Sequence, residues 1–469
     1  SGRTVHFYYD ENNCLKIYEN AVGERTYYTY DEVHRLLTAA YDTGAVYVAN
    51  TYDEQGRVIS QDDGLAETPL TFFSYTQNEE TGASTTSVTN RLGQTATTCY
   101  DANGNVVSET NEAGDTAYYT YDENGNQTSI KDANGNLQLY HYDALNQLIQ
   151  ITDAYGTNTH MRYNCDNLLS TSYNDNGERV SFSYNPYGQI TICTDQNQNS
   201  TFYTYNENGQ LIGEKDQKGS KKYEYTGAWQ TRITDYLGGV TQCEYDAAGN
   251  RTAVIRQDGA RETTTYDAMG RVTSTTNTSG GVTRYTYDAL GNISTMTNPA
   301  GGVTTYRYND IGWLTSVTEP DGASLTYTTN AEGWITSVTD SLGRTTSYTY
   351  DAVGNIQTQT DSDGVTTSYT YDGSGNVTST TIDGKTSYAE YYPNGKIAKE
   401  TDQSGISTVY TYDHNWRLSN VTRDTGEAIS YTYDSCGNLS KEIDALGNQT
   451  IYTYDSRGNV LSKTDPMGN

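Results

Sequence analysis

Few residues in this sequence are of the kinds that do chemistry, and their spacing withholds most of it. The five histidines, His6, His34, His141, His160 and His414, form no HExxH or other paired motif. We read them as solvated strand or turn residues rather than metal ligands or general bases. Serine and threonine abound without a G-x-S-x-G elbow to activate one of them. An even count of six cysteines would suit disulfides. Yet no C-x-x-C occurs, and Cys14, Cys99, Cys165, Cys193, Cys243 and Cys436 take different positions in the local pattern. Neighbouring units therefore offer no pair with disulfide geometry, and unpaired thiols are expected. Aspartate is abundant but recurs at turn positions, without the G-G-x-G-x-D nonapeptide of calcium-binding β-rolls. Trp313 and Trp334, in IGWLTSVT and EGWITSVT, both follow a turn glycine at one register of adjacent units. They are the candidates for stacking on a ligand, since such binding needs aligned aromatic faces. The plainer reading is that Trp replaces Asn at the turn exit. No catalytic residue, metal ligand or cofactor is expected, and the chain does not read as an enzyme.

The elements that carry these residues explain their spacing. The 469 residues include 46 Tyr and 44 Gly but only 5 Phe and 4 Trp, and 34% are hydrophobic with Tyr counted among them. That is too little aliphatic material for one large conventional core, while the aromatic content argues against disorder. The net charge of −30 makes nucleic acid and anionic membrane poor partners, because phosphate binding needs clustered Lys and Arg. No run approaches the length of apolar residues that a membrane-spanning helix requires.

Internal periodicity decides the fold class. A Tyr-Asp or Tyr-Asn pair recurs every 21 residues from Tyr100 through Tyr121, Tyr142, Tyr163, Tyr184 and Tyr205. Two steps of 20 follow, then 21 again through Tyr266, Tyr287 and Tyr308, past Thr329 to Tyr350, Tyr371 and Tyr392, and with one more step of 20 to Tyr412, Tyr433 and Tyr454. The mean period is about 20.8 residues, and before residue 99 the spacing loosens, with the longest insertions between about 61 and 98. We expect a single array over 1–469, irregular at 1–99 and regular at 100–469, with no composition break marking a domain boundary.

Each unit reads Y-D-x-x-G-N-φ-x-x-x-T-D-x-x-G-x-x-T-x-Y-x-Y, where φ is apolar. It holds two D-x-x-G turns, with Asp bonding its own backbone and Gly supplying positive φ. The residues expected to build the repeat are Tyr121, Asp122 and Gly125; Tyr287, Asp288 and Gly291; Tyr350, Asp351 and Gly354; and Tyr371, Asp372 and Gly375. Between turns lie strand formers in alternation, so Thr367, Tyr369 and Tyr371 share a face. After the first turn the apolar residues sit three apart, as in Leu314 and Val317 or Ile293 and Met296. A bulge would explain this, and so would apolar contact on both faces. The expected fold is all-β: about 22 hairpins in a long antiparallel ribbon of about 44 strands, roughly 200 Å if straight, which must wind, stack or close. Tyr at equal registers is expected to form ring-on-ring ladders with wet phenol oxygens.

These stretches resemble the YD repeat of Rhs-type proteins. YTYDENGNQTSIKDANGN at 119–136, YTYDALGNISTMTNPAGG at 285–302, SYTYDAVGNIQTQTDSDG at 347–364 and YTYDSRGNVLSKTDPMGN at 452–469 all fit it. The resemblance implies a β-ribbon spiralling into a hollow shell or barrel-like wall. In bacterial Rhs and insecticidal toxin-complex proteins such a shell encloses a C-terminal toxic polypeptide, and teneurins use a related one for adhesion. It implies a non-enzymatic shell segment of a large bacterial protein, secreted or at the cell surface, whose partners are flanking domains or an enclosed polypeptide of the same parent. The alternative it leaves is a cell-wall-associated adhesin or surface fibre that binds a glycan or a cell-surface protein. The shell-closing segment, autoproteolytic Asp site and variable toxin of the family are not recognisable here. DPMGN at 465–469 reads as the second turn of one more unit, so the chain is expected to be a segment of something larger. A propeller is the competing fold, but the unit count gives about 11 blades where 4–8 are usual.

Overall fold

The computed structural model describes residues 4–62, 71–434, 436–455 and 458–469. Part of the insertion expected between 61 and 98 lies outside these. Among the described residues there are 44 strands and no helix, from His6–Tyr9 to Val460–Thr464. The strands belong to one sheet. Consecutive strands pair antiparallel, as Val282–Tyr287 does with Ile293–Thr297, and that strand with Val303–Tyr308.

The hairpin turn shows why Asp and Gly recur. Asp288 N donates to Asn292 O at 2.9 Å and Gly291 N to Asp288 O at 3.1 Å. The Asp288 carboxylate accepts from Leu290 N at 2.9 Å and Asn292 N at 2.8 Å. Gly291 has a φ of 85°. This is a three-residue loop closed by a type I turn and a residue in the left-handed region. Among the described residues 37 glycines have positive φ. In the same slot Asn13, His34, Asn146, Asn167, Gln198 and Trp416 adopt it without being glycine.

The three-residue spacing after the turn is settled by a bulge. Tyr287 pairs with Ile293 and Tyr285 with Met296, with the register shifting between Thr286 and Tyr287. One extra residue on the second strand brings Ile293 and Met296 to the face that Tyr285 and Tyr287 share. Leu314 and Val317 repeat this opposite Tyr308 and Tyr306. The other face is a hydroxyl face: Thr286 Oγ1 lies 2.8 Å from Ser294 Oγ and 2.6 Å from Thr295 Oγ1. Thr265, Thr328 and Thr370 repeat the arrangement.

One register expectation is overturned. A period of 21 places the recurring tyrosine at Tyr392. The structure places Tyr391 there, paired with Ile397, and gives Tyr392 the Asp slot of the turn, its N donating to Lys396 O at 2.8 Å. The cause lies upstream. Strands Val377–Ile382 and Lys385–Tyr391 are joined by the two-residue turn Asp383–Gly384, with φ of 51° and 74°, so this repeat is one residue shorter.

There is almost no conventional core. Among the described residues the buried apolar side chains are Ala39, Cys243 and Ala253. The accessible surface is 27417 Å², whereas a compact globular chain of this mass exposes about 17,000 Å². Contacts divide the chain into two units. The first comprises Ser1–Gly114, Tyr225–Ile233 and Gly239–Gly364. The second comprises Asp115–Glu224, Thr234–Gly238 and Val365–Asn469. Each therefore contains an earlier and a later course of ribbon.

Candidate functional site

The repeated tyrosine is a hydrogen-bond donor rather than a wet phenol. Tyr287 Oη donates to Val272 O at 2.7 Å, and Val272 is the residue paired with Tyr266 across the previous bulge. Tyr142 donates to Gln127 O at 2.9 Å, Tyr163 to Leu148 O at 2.7 Å, Tyr245 to Gln230 O at 2.9 Å and Tyr433 to Leu418 O at 2.9 Å. A bulge interrupts the ladder, and a half-buried carbonyl left there needs a donor. The next repeat's phenol supplies it. Burial pushes the Tyr142, Tyr163 and Tyr287 hydroxyls up from their ordinary pKa, which keeps them protonated as donors.

The rings of the tyrosine column are covered by cations and by tryptophan. In several repeats the residue leaving the first turn covers the ring of the next repeat. The Arg271 guanidinium lies 4.6 Å from the Tyr287 ring centre, Arg417 4.6 Å from Tyr433 and Lys396 5.2 Å from Tyr412. Trp334 fills this position against Tyr350, with ring centres 5.3 Å apart. Trp313 and Trp334 therefore share a register, but no ring contact joins them among the described residues. Trp313 lies against Gly333, where a Cβ would come 2.9 Å from its ring, and Arg91 covers it at 5.9 Å. Trp334 lies against Gly354 in the same way.

The other repeat residues fall at equivalent positions. Tyr121 and Tyr371 end strands Thr116–Tyr121 and Thr366–Tyr371 and pair with Gln127 and Val377 across a bulge. The Asp122 carboxylate accepts from Asn124 N, Asn126 N and Asn126 Nδ2, each at 2.9 Å. These bonds, the Asn126 side chain first, hold its pKa below the usual carboxylate value. Asp351 caps Val353 and Asn355, and Asp372 caps Ser374 and Asn376. Gly125, Gly354 and Gly375 all have positive φ.

Elsewhere titratable groups meet in small sets: Tyr236 Oη donates to Glu214 at 2.8 Å and to Asp216 at 3.2 Å, and Tyr223 Oη donates to Glu214 at 3.1 Å. The six cysteines are free, and Cys14 Sγ lies 3.1 Å from His34 Nδ1. Burial raises the Cys14 pKa, the reverse of an activated thiolate. His160 meets Asp175 at 3.0 Å. A groove of about 580 Å³ is lined by Tyr388, Glu400, Tyr410 and Arg423 among others. In it Tyr410 donates to Glu400 at 2.6 Å, a bond that pushes its pKa up to about 12. Among the described residues no group of His, Cys, Asp and Glu could hold a metal ion.

Periodicity does not reveal the seam between courses. In the first unit Arg91 N donates to Glu332 Oε1 at 2.7 Å and Arg91 Nη1 to Ala331 O at 2.9 Å. In the second, Gly373 N donates to Asn134 Oδ1 at 2.9 Å, and Asn134 Nδ2 to Ser374 Oγ at 2.9 Å. There too His414 and Asn415 bond Glu178, and Tyr155 packs on Trp416 with ring centres 4.7 Å apart. Each contact joins a second turn of the earlier course to a first turn of the later one. The hydrogen bonds span 236 to 241 positions, about eleven and a half repeats. The half repeat is required, because the two turns lie at opposite ends of every hairpin.

Comparison with known proteins agrees with this geometry. A family model for the RHS Repeat matches residues 266–303, 291–324, 330–366, 350–386 and 433–469. One for the Teneurin YD-shell matches residues 73–237. No curated protein matches. A crystal structure of TcdB2-TccC3 is 15% identical with a TM-score of 0.61, covering 98% of this chain and 30% of its own. The same protein without its hypervariable C-terminal region is 14% identical with a TM-score of 0.60, covering 98% and 32%. A Photorhabdus luminescens Tc holotoxin pore is 14% identical with a TM-score of 0.58, covering 98% and 29%. The chain thus spans about a third of the length of the structures it matches.

Proposed function

The chain belongs to the RHS/YD-repeat family, and from that premise we propose that it serves as a structural wall segment, enclosing a polypeptide of the same larger protein. The observation that carries this reading is the single sheet with a tyrosine face, a hydroxyl face and almost nothing buried. A ribbon of this kind encloses space instead of filling it. The courses docked turn to turn supply the width of the wall. One matched structure is of TcdB2-TccC3 without its hypervariable C-terminal region, and we infer a comparable C-terminal region as the occupant of this wall, in a secreted or surface-exposed bacterial protein. No chemical step is assigned to the chain. The Trp313 and Trp334 rings are engaged by Gly333, Arg91, Gly354 and Tyr350, so the adhesin reading gains no support from them.

The test is protease protection. A protease-sensitive reporter placed behind the repeat region of the full-length protein should be cut severalfold more slowly than the same reporter on an unrelated carrier. Equal cutting rates would overturn enclosure.

A further inference from the structure

One repeat lacks a ring that its neighbours carry. Two residues before the recurring tyrosine stand Tyr369 in the preceding repeat and Tyr410 in the following one. Between them stands Ala389, the smallest residue at that position in any repeat. Ala389 pairs with Glu400, as Tyr203 pairs with Glu214 in an earlier repeat. The earlier glutamate is closed in by phenols: Tyr223 donates to its Oε2 at 3.1 Å and Tyr236 to its Oε1 at 2.8 Å. Glu400 receives the first of these bonds, from Tyr410 to Oε2 at 2.6 Å. Among the described residues no second phenol reaches it. Tyr236 holds the second position of the turn Asp235–Gly238, and Asp424 holds that position in Arg423–Gly426.

These two replacements open the groove of about 580 Å³, lined by Ser387, Ala389, Glu400, Tyr410 and Thr425, all within the second unit. Arg423 lines it too. Its side chain is 58% exposed and can lie over an entering ring, as Arg271 lies over Tyr287. We propose that the groove is a binding site for a phenol ring, a tyrosine side chain that enters where Ala389 leaves space and donates its hydroxyl to Glu400 Oε1. A cavity left by a missing side chain binds small molecules of the lost shape. Here the returning ring regains apolar burial and a hydrogen bond to a carboxylate, both of which the equivalent repeat already has at Glu214. A groove of this size also accepts backbone on either side of the ring, so the tyrosine is one carried by a polypeptide segment. That this segment belongs to the enclosed polypeptide rests on the wall reading above; the site itself does not.

Titration of the whole chain with N-acetyl-tyrosinamide, followed by saturation-transfer NMR, tests this. Binding is expected with a Kd on the order of 1 mM. N-acetyl-phenylalaninamide cannot donate to Glu400 and should bind at least about fivefold more weakly. Ala389→Tyr fills the groove from within and should abolish binding while leaving the melting temperature unchanged or higher. Ala389→Ser keeps the groove open and should bind like the parent. Equal binding of the two probes, no binding of either, or binding that survives Ala389→Tyr would overturn the proposal. The probe comparison needs no variant, so it decides the matter even where Ala389→Tyr does not fold. Protease protection without probe binding overturns the site alone. Probe binding without protection leaves the site standing and removes only the enclosed polypeptide as the source of its ring.

Discussion

The turns Asn330–Trp334 and Asp340–Arg344 belong to one repeat and close with the same backbone bonds, Gly333 N to Asn330 O at 3.1 Å and Gly343 N to Asp340 O at 2.9 Å. Their surroundings differ. The first is held by Arg91 from the other course, and its glycine lies under Trp313. The second has nothing within 4 Å of where a Gly343 Cβ would stand, and its tip residue Leu342 is exposed. Local chemistry therefore makes a turn, and long-range packing decides how much that turn can be altered.

Acid should separate the two turns most broadly. The Arg344 side chain first, then backbone N–H groups, hold the Asp340 carboxyl below its ordinary pKa, whereas Asn330 cannot titrate. Ten further turn aspartates are lowered in the same direction. Groups whose folded pKa is depressed add stability that is present above the unfolded value, about 3.9, and is lost as pH falls through the folded one. The melting temperature should therefore drop below about pH 4 in salt that screens the overall charge. Amide exchange at Leu342, bonded to Asp340, should rise before that at Glu332, bonded to Asn330. Simultaneous loss of protection at both would contradict the Asp assignment.

Substitution at the glycines should come next. Gly354→Val meets both a φ of 91° and the Trp334 ring at 2.9 Å. Left-handed strain of about 1–2 kcal/mol and overpacking of about 1–3 kcal/mol add to roughly 4 kcal/mol. Thr358→Val suits its strand and gives up one hydroxyl contact, to Thr349 at 2.6 Å, at about 1 kcal/mol. Equal melting temperatures for these two variants would refute the turn geometry. By the same reasoning Gly333→Ala should cost about 3 kcal/mol and Gly343→Ala about 1 kcal/mol. A Gly333 variant as mild as Gly343 would mean that Trp313 moves freely.

Much of this was legible in the sequence because it is local. A D-x-x-G turn closes over four positions, and strand alternation over two, so strands, turns and the positive φ of the turn glycines can be read from spacing. What escaped depends on longer reach. The tyrosine hydroxyl bonds a carbonyl 15 residues back, at a bulge that a period-2 reading leaves ambiguous. The Tyr391 register hinges on one residue removed at Asp383–Gly384. The seam sums small twists over eleven repeats, a quantity no single repeat encodes. Trp416 holds a φ of 59° in a glycine slot among Tyr155, Tyr392 and Tyr412, so packing there outweighs a backbone preference.

The hydroxyl assignment can be isolated within one Y-x-Y pair. Tyr287→Phe leaves the Val272 carbonyl without its 2.7 Å donor, a loss of about 1–2 kcal/mol. Tyr285 pairs with Met296 on the same face, and Tyr285→Phe keeps that packing, so it should stay within about 0.5 kcal/mol. If the two variants melted together, the phenol bond would not be what stabilises the bulge.

The smallest effect bears most directly on the difference between the two turns. Asn tolerates the left-handed region better than other non-glycine residues, because its short side chain bonds the local backbone. Asn13, Asn146 and Asn167 already occupy that slot with φ of 62–63°. Gly343→Asn has open space for its side chain, so it should change stability by no more than about 0.5 kcal/mol. Gly333→Asn carries the same backbone preference but drives its Cβ into Trp313, and should cost nearly as much as Gly333→Ala. If Asn were tolerated equally at both positions, the packing of Trp313 across the repeat would not be what distinguishes the two turns.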